Sequence, residues 1–131
     1  MPLDVELGGI VAQLAGSFVD PASSANFDGA IGLALEKLGL AVDADRAYIF
    51  DYHHDRGICT NTHEWCRAGI SPQIDALQSV PLVELPEWLR THQRGEAVVI
   101  PDVATHPEES TRAILESQQI LSLLTVPMRL G

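Results

Sequence analysis

The stretch that decides the fold is Arg46-Ala47-Tyr48-Ile49-Phe50-Asp51-Tyr52, followed by Asp55-Arg56-Gly57 and then Ile58 through Cys66. The first segment is aromatic and β-branched, the composition that fits a pleated, half-buried surface, so it reads as a strand. Gly57 suits the positive-φ position of a short hairpin loop, and a second strand follows from Ile58 to Cys66. The pair is an antiparallel hairpin. Alternation puts Tyr48, Phe50 and Tyr52 on one face, and Ala47, Ile49 and Asp51 on the other. Small Ala47 suits the face that packs against long helices, which leaves the aromatic face for a cavity.

Upstream of the hairpin, Leu3, Leu7, Ile10, Val11, Leu14 and Phe18 fall on one face at helical spacing, and Asp20-Pro21 breaks that helix. A second helix fits Phe27, Ile31, Ala34, Leu35 and Leu38, with Ser24 or Asn26 as N-cap and Gly39 as the stop. Downstream, Arg67 to Leu82 is irregular, punctuated by Gly69, Pro72 and Pro81. A short helix around Leu85, Trp88 and Leu89 closes at Gly95. Ala97 to Ile100 is a strand ended by Pro101, Thr111 to Gln119 a helix burying Ile114 and Leu115, and Ser122 to Val126 a last strand. Strands alternate with helices around a hairpin, so the class is α+β. No internal repeat is visible.

At 131 residues and 46% hydrophobic content, the chain has the size and apolar fraction of one compact domain. Its net charge of -10 repels phosphate backbones and anionic lipid surfaces, which argues against nucleic-acid and membrane-surface binding. Two cysteines, Cys59 and Cys66, are too few for a disulfide framework. No apolar run approaches the roughly 18 residues of a membrane span. The opening Met1-Pro2-Leu3-Asp4 lacks the order of a secretory signal, so a cytoplasmic location is expected.

The phosphate-binding GxxxxGK[ST] loop, GxGxxG after a strand, and the GxSxG elbow are all missing. The densest polar cluster is His53, His54, Cys59, His63 and Cys66, flanked by Glu64. Thiolate and imidazole are the ligands zinc prefers, but no zinc spacing such as CxxC occurs. On an uninterrupted strand Cys59 and His63 share a face while Cys59 and Cys66 diverge. No metal site is therefore expected. The second feature is aromatic. Tyr48, Phe50, Trp65, Leu85, Trp88 and Val99 are expected to line a cavity between sheet and helices, against the alternative of plain core packing.

In order and spacing, several strings resemble a GAF domain, the sensory module of bacterial signalling proteins. They are Asp45-Arg46-Ala47-Tyr48-Ile49-Phe50, Thr62-His63-Glu64-Trp65-Cys66 with Gly69-Ile70, and Pro72-Gln73-Ile74-Asp75 with Leu77-Gln78. Ile100-Pro101-Asp102-Val103 and Ile120-Leu121-Ser122-Leu123-Leu124-Thr125-Val126-Pro127-Met128 complete the set. The resemblance covers residues 5–131 and is closest to GAF domains attached to histidine kinases and cyclic-di-GMP enzymes. It implies a central antiparallel sheet, N-terminal helices on one face, and a pocket on the other beneath the variable middle segments. It implies a non-catalytic input domain that binds a small molecule or dimerises to control an attached kinase, diguanylate cyclase or phosphodiesterase.

Two departures narrow the ligand, whose identity stays unknown. Bilin-carrying members attach the chromophore through a Cys-His pair, but here Cys59 precedes Thr60 and Cys66 precedes Arg67. The Asn-Lys-x-Phe string of mammalian cyclic-nucleotide-binding members is also missing. Both features argue against covalent bilin and cyclic GMP. From another class, methionine sulfoxide reductases share this fold and use cysteines, which would give Cys59 and Cys66 a catalytic role. Against that role, the two cysteines are expected on opposite faces of the strand. Leu3, Leu7, Ile10 and Leu14 follow 4-3-4 spacing, the seam of a coiled coil, so a homodimer is expected. Resembling domains continue past the Val-Pro-Met string with further strands. The chain is therefore expected to be a fragment of a longer protein, with an incomplete sheet and low stability.

Overall fold

The computed structural model describes residues 24–128. The helix and dimer seam read at Leu3 to Leu14 lie outside these residues. The elements run α1 (Ser24–Ala41), β1 (Arg46–His53), β2 (Ile58–Cys66), β3 (Val80–Pro81), α2 (Pro86–Gln93), β4 (Val98–Ile100), α3 (Glu109–Ser117) and β5 (Leu123–Thr125). Short 3-10 turns sit at Ile74–Ala76, Leu82–Glu84 and Val103–Thr105. The class is α+β, as the alternation of patterns suggests.

Helix α1 forms because Phe27, Ile31 and Leu35 recur on one face, and it buries Ile31 and Leu35 against Ala47, Ile49 and Trp65. It runs past Gly39, the residue read as its stop. The stop is Asp43, which takes φ 57° after the last turn, while Ala44 N–H donates to Gly39 O at 2.8 Å. Aspartate tolerates this left-handed conformation better than most residues do. Gly39 has a different purpose. A Cβ placed there would sit 2.3 Å from the Trp65 ring, so the missing side chain is what admits the indole.

β1 and β2 pair antiparallel from Arg46↔Cys66 to His53↔Ile58, across a loop in which Gly57 takes φ +65°. The ladder is interrupted once. Ile49 faces His63 and Phe50 faces Asn61, so Thr62 is an extra residue, a bulge. The Thr62 hydroxyl donates to Ile49 O at 3.3 Å. Residues of β2 before the bulge therefore alternate in one phase and those after it in the other.

A single central sheet was expected; the described residues form two. One has the order β1-β2-β3 and the other is the pair β4-β5. β1 and β5 each have one paired edge, and their other edges find no strand among the described residues. Side chains bridge the two sheets instead. Tyr48 of β1 packs in one core with Ile100 of β4, Leu123 of β5, and Val103, Leu115 and Ile120.

The glycines of α1 give a paired test. Gly39→Ala forces the Trp65 ring to move and should lower stability by about 1–3 kcal/mol, the range for overpacking a filled site. At Gly29 and Gly32 a Cβ meets nothing within 4 Å. There alanine should raise stability by roughly 0.5–1 kcal/mol each, the helix-propensity difference. Urea unfolding of the three variants checks both signs.

Candidate functional site

The face of the hairpin opposite α1 is covered by α2, α3 and the irregular segment around Leu77. Together they border a partly open cavity of about 30 Å³. Tyr48, Phe50 and Tyr52 of β1 form its floor with Cys59 of β2. Leu85 and Trp88 enter from the start of α2, and Ile114 and Leu115 from α3. Leu77, Val80, Gln118 and Ile120 close the remainder. A water needs roughly 10–15 Å³ of such space, so the cavity has room for about two. None of these lining residues carries a charged side chain.

Local chemistry fixes each wall. Pro86 opens α2 with its preset φ, and Leu89 N–H donates to Leu85 O at 2.9 Å, which aims Leu85 and Trp88 together. α3 is tied to the same corner by two hydroxyls, Ser110 Oγ and Thr111 Oγ1, donating to Glu84 O at 2.8 and 2.9 Å. On the floor, Arg46 is buried and its guanidinium donates to Ser71 O at 3.0 Å and Gln118 O at 2.7 Å. Glu64 accepts from Gln73 N–H at 3.0 Å and Ile74 N–H at 3.2 Å, holding the segment that leads to Leu77. Two side chains of one hairpin thus set the position of both flanking segments.

Two polar groups reach the cavity already engaged. The Tyr48 hydroxyl donates to Gln118 Oε1 at 2.9 Å, and burial holds the phenol protonated, well above its ordinary range. The Tyr52 hydroxyl lies 2.6 Å from His92 Nδ1, and His92 Nε2 lies 2.7 Å from Thr125 Oγ1. Burial pushes His92 down to about 4, against the opposing effect of its bond to Thr125. The ring is therefore neutral near pH 7, with one donor and one acceptor nitrogen matched to two hydroxyls. Trp88 meets the same ring edge-on, with centroids 6.0 Å apart.

Of the six residues read as cavity lining, Tyr48, Phe50, Leu85 and Trp88 line it. Trp65 and Val99 do not. Trp65 stands opposite Ala47 and packs on α1, because the Thr62 bulge reverses the alternation that would have carried it to the aromatic face. Val99 is 47% exposed, since the alternation in β4 gives the inner face to Val98 and Ile100. Tyr52 was legible from its face. Cys59 was singled out for its thiol rather than as lining, and Leu77, Val80 and Gln118 carried no sequence signal, because elements distant in sequence bring them together.

The bulge also corrects the cysteine geometry. Cys59 lies opposite Tyr52 and Cys66 opposite Arg46, so both share the aromatic face, while His63 points to α1. His63 instead bridges Asp28 Oδ1 and Thr62 Oγ1, each at 2.9 Å. Among the described residues no three His, Cys, Asp or Glu side chains gather as a metal site. No helix among them is long and apolar enough to cross a membrane.

No family model matches the chain. Over 99 residues it is 36% identical to the methanogenesis regulatory histidine kinase FilI of Methanothrix harundinacea. The match covers 72% of this chain and 11% of that kinase. The chain is thus similar to one segment of a much longer signalling protein.

The buried imidazole makes stability depend on pH. Between pH 6.5 and 4 the unfolded state binds more protons at His92 than the folded state does. Its contribution is present above pH 6.5 and is lost as the pH falls to 4, by about 3 kcal/mol at most. Urea midpoints measured across this window should fall less steeply in His92→Gln than in the parent chain.

Proposed function

We propose that this chain is a regulatory input domain of the GAF type, belonging to a signalling protein such as a histidine kinase. A small molecule enters the aromatic cavity, and its presence controls an attached output domain. The observation that carries this reading is the match to a regulatory histidine kinase over a segment of 99 residues, the size of one domain. The cavity supplies the means: apolar walls with a few oriented polar groups are the usual form of a small-molecule site. The edges of β1 and β5, unpaired among the described residues, support a further part of the reading, in which a strand from elsewhere in a longer chain pairs there.

The sulfoxide-reductase alternative finds less support. Burial pushes the Cys59 thiol up to about 11. Burial and the neighbouring Glu64 carboxylate push Cys66 up as well, outweighing Arg46. Thiolates are the nucleophiles, and both groups stay protonated near pH 7. The two thiols also stand at opposite ends of β2, roughly 23 Å apart at extended-strand spacing, too far to form a disulfide with each other.

Native mass spectrometry tests the cavity. Protein purified without denaturation should carry a small molecule that denaturation releases, and Ile114→Phe, which fills the space, should remove at least nine-tenths of it. A bare mass in every native preparation would overturn the ligand-binding reading. Association is tested separately, by sedimentation equilibrium. The seam at Leu3, Leu7, Ile10 and Leu14 should give twice the chain mass, and a monomer at high concentration would reject the homodimer.

A further inference from the structure

The side chain of Asn61 is 1% exposed, and neither its amide nitrogen nor its amide oxygen has a hydrogen-bond partner within the protein. Its backbone is fully engaged: Asn61 N–H donates to Leu77 O at 2.9 Å, and Asn61 O accepts from Gln78 Nε2 at 3.0 Å. A buried primary amide brings two donors and an acceptor into a place where leaving them unmade is costly. A leucine of similar shape would have no such cost. Buried groups in this condition are few in native proteins and call for a reason.

The position of Asn61 supplies one. It lies on the aromatic face of β2, directly opposite Phe50, and two residues along from Cys59. Phe50, Cys59 and Leu77, the three residues that flank it, all line the cavity. Asn61 therefore stands just behind the lining. The side chains of Phe50 and Leu77 are apolar, so a ligand that displaces either to reach the amide disrupts packing contacts and no side-chain hydrogen bond.

We propose that Asn61 is the polar anchor of this cavity, and that the cavity takes a small uncharged molecule bearing an amide-like donor–acceptor pair. This rests on the ligand-binding reading above and names the chemistry of its ligand. A charged ligand fits poorly, because no lining side chain would neutralise it once its hydration is removed. Arg46, the nearest buried cation on this face, is already committed to the carbonyls of Ser71 and Gln118. A neutral primary amide offers one N–H and one C=O side by side, the complement of what Asn61 leaves unpaired.

The test uses two probes, propanamide and its hydrocarbon isostere 2-methyl-1-butene, titrated into the 15N-labelled chain and into Asn61→Leu. In the parent chain, the bound propanamide NH2 should show an NOE to the Asn61 side-chain NH2. In Asn61→Leu, propanamide affinity should fall at least tenfold, hydrocarbon affinity should hold, and the thermal midpoint should rise. Equal propanamide binding by both chains, or a lower midpoint in the variant, overturns the assignment. Hydrocarbon binding without amide binding in the parent chain rejects Asn61 but leaves the cavity standing. Binding of neither probe rejects both.

Discussion

One extra residue in one strand governs the arrangement of this molecule. The bulge at Thr62 lets β2 serve two faces in succession. Before it, Cys59 and Asn61 lie on the aromatic face, where Cys59 lines the cavity. After it, His63 and Trp65 face α1, while Glu64 and Cys66 return to the cavity side. Without the bulge the 59–61 and 63–65 halves could not satisfy both layers at once, because a one-residue slip carries every side chain to the opposite face. The helical layer depends on this placement, since the Trp65 ring fills the space left by Gly39 and completes the packing of α1.

On the other face the structure is held by polar groups as much as by apolar ones. Arg46, Glu64 and Thr111 each reach across to another segment and satisfy backbone groups there, and the Gln118 side chain accepts from the Tyr48 hydroxyl. Such bonds contribute modestly when made and cost much more when one partner is removed. They therefore fix the geometry of the covering loops more than they add to total stability. His92 follows the same logic, as a neutral ring set between Tyr52 and Thr125 that links the cavity floor to β5. These bonds frame a small space. Any ligand larger than about two waters must shift flexible apolar side chains rather than break this polar frame.

The proposed regulatory reading rests in part on the chemistry of this lining. Its thiols are held protonated, its histidine is neutral, and no lining residue carries charge. β5, which carries the last hydroxyl of the Tyr52–His92–Thr125 chain, is also the last described strand, and one of its edges is unpaired among the described residues. In the proposed reading, occupancy of the cavity and whatever pairs with that edge are neighbours through one hydrogen-bonded row.

The amino-acid sequence by itself determined the element types and the sidedness of β1. Aromatic and β-branched alternation from Arg46 to Tyr52 is a local property, and Gly57 closes a hairpin through its own backbone freedom. That was enough to place Tyr48 and Phe50 on the cavity face, and the helical spacing of Leu85 and Trp88 brought them to its wall. Only the tertiary structure decided the rest. A bulge leaves no mark in composition, so Trp65 read to the wrong face and the two cysteines read as diverging when they share one. The short strand β4 has too few residues for its inner face to be read, which misplaced Val99. Gly39 looked like a helix stop because the ring that needs its missing side chain lies 26 residues on in sequence. Asn61 could not be singled out at all, because an unpaired amide is defined by its surroundings, and those are assembled only when β1, β2 and the Leu77 segment meet.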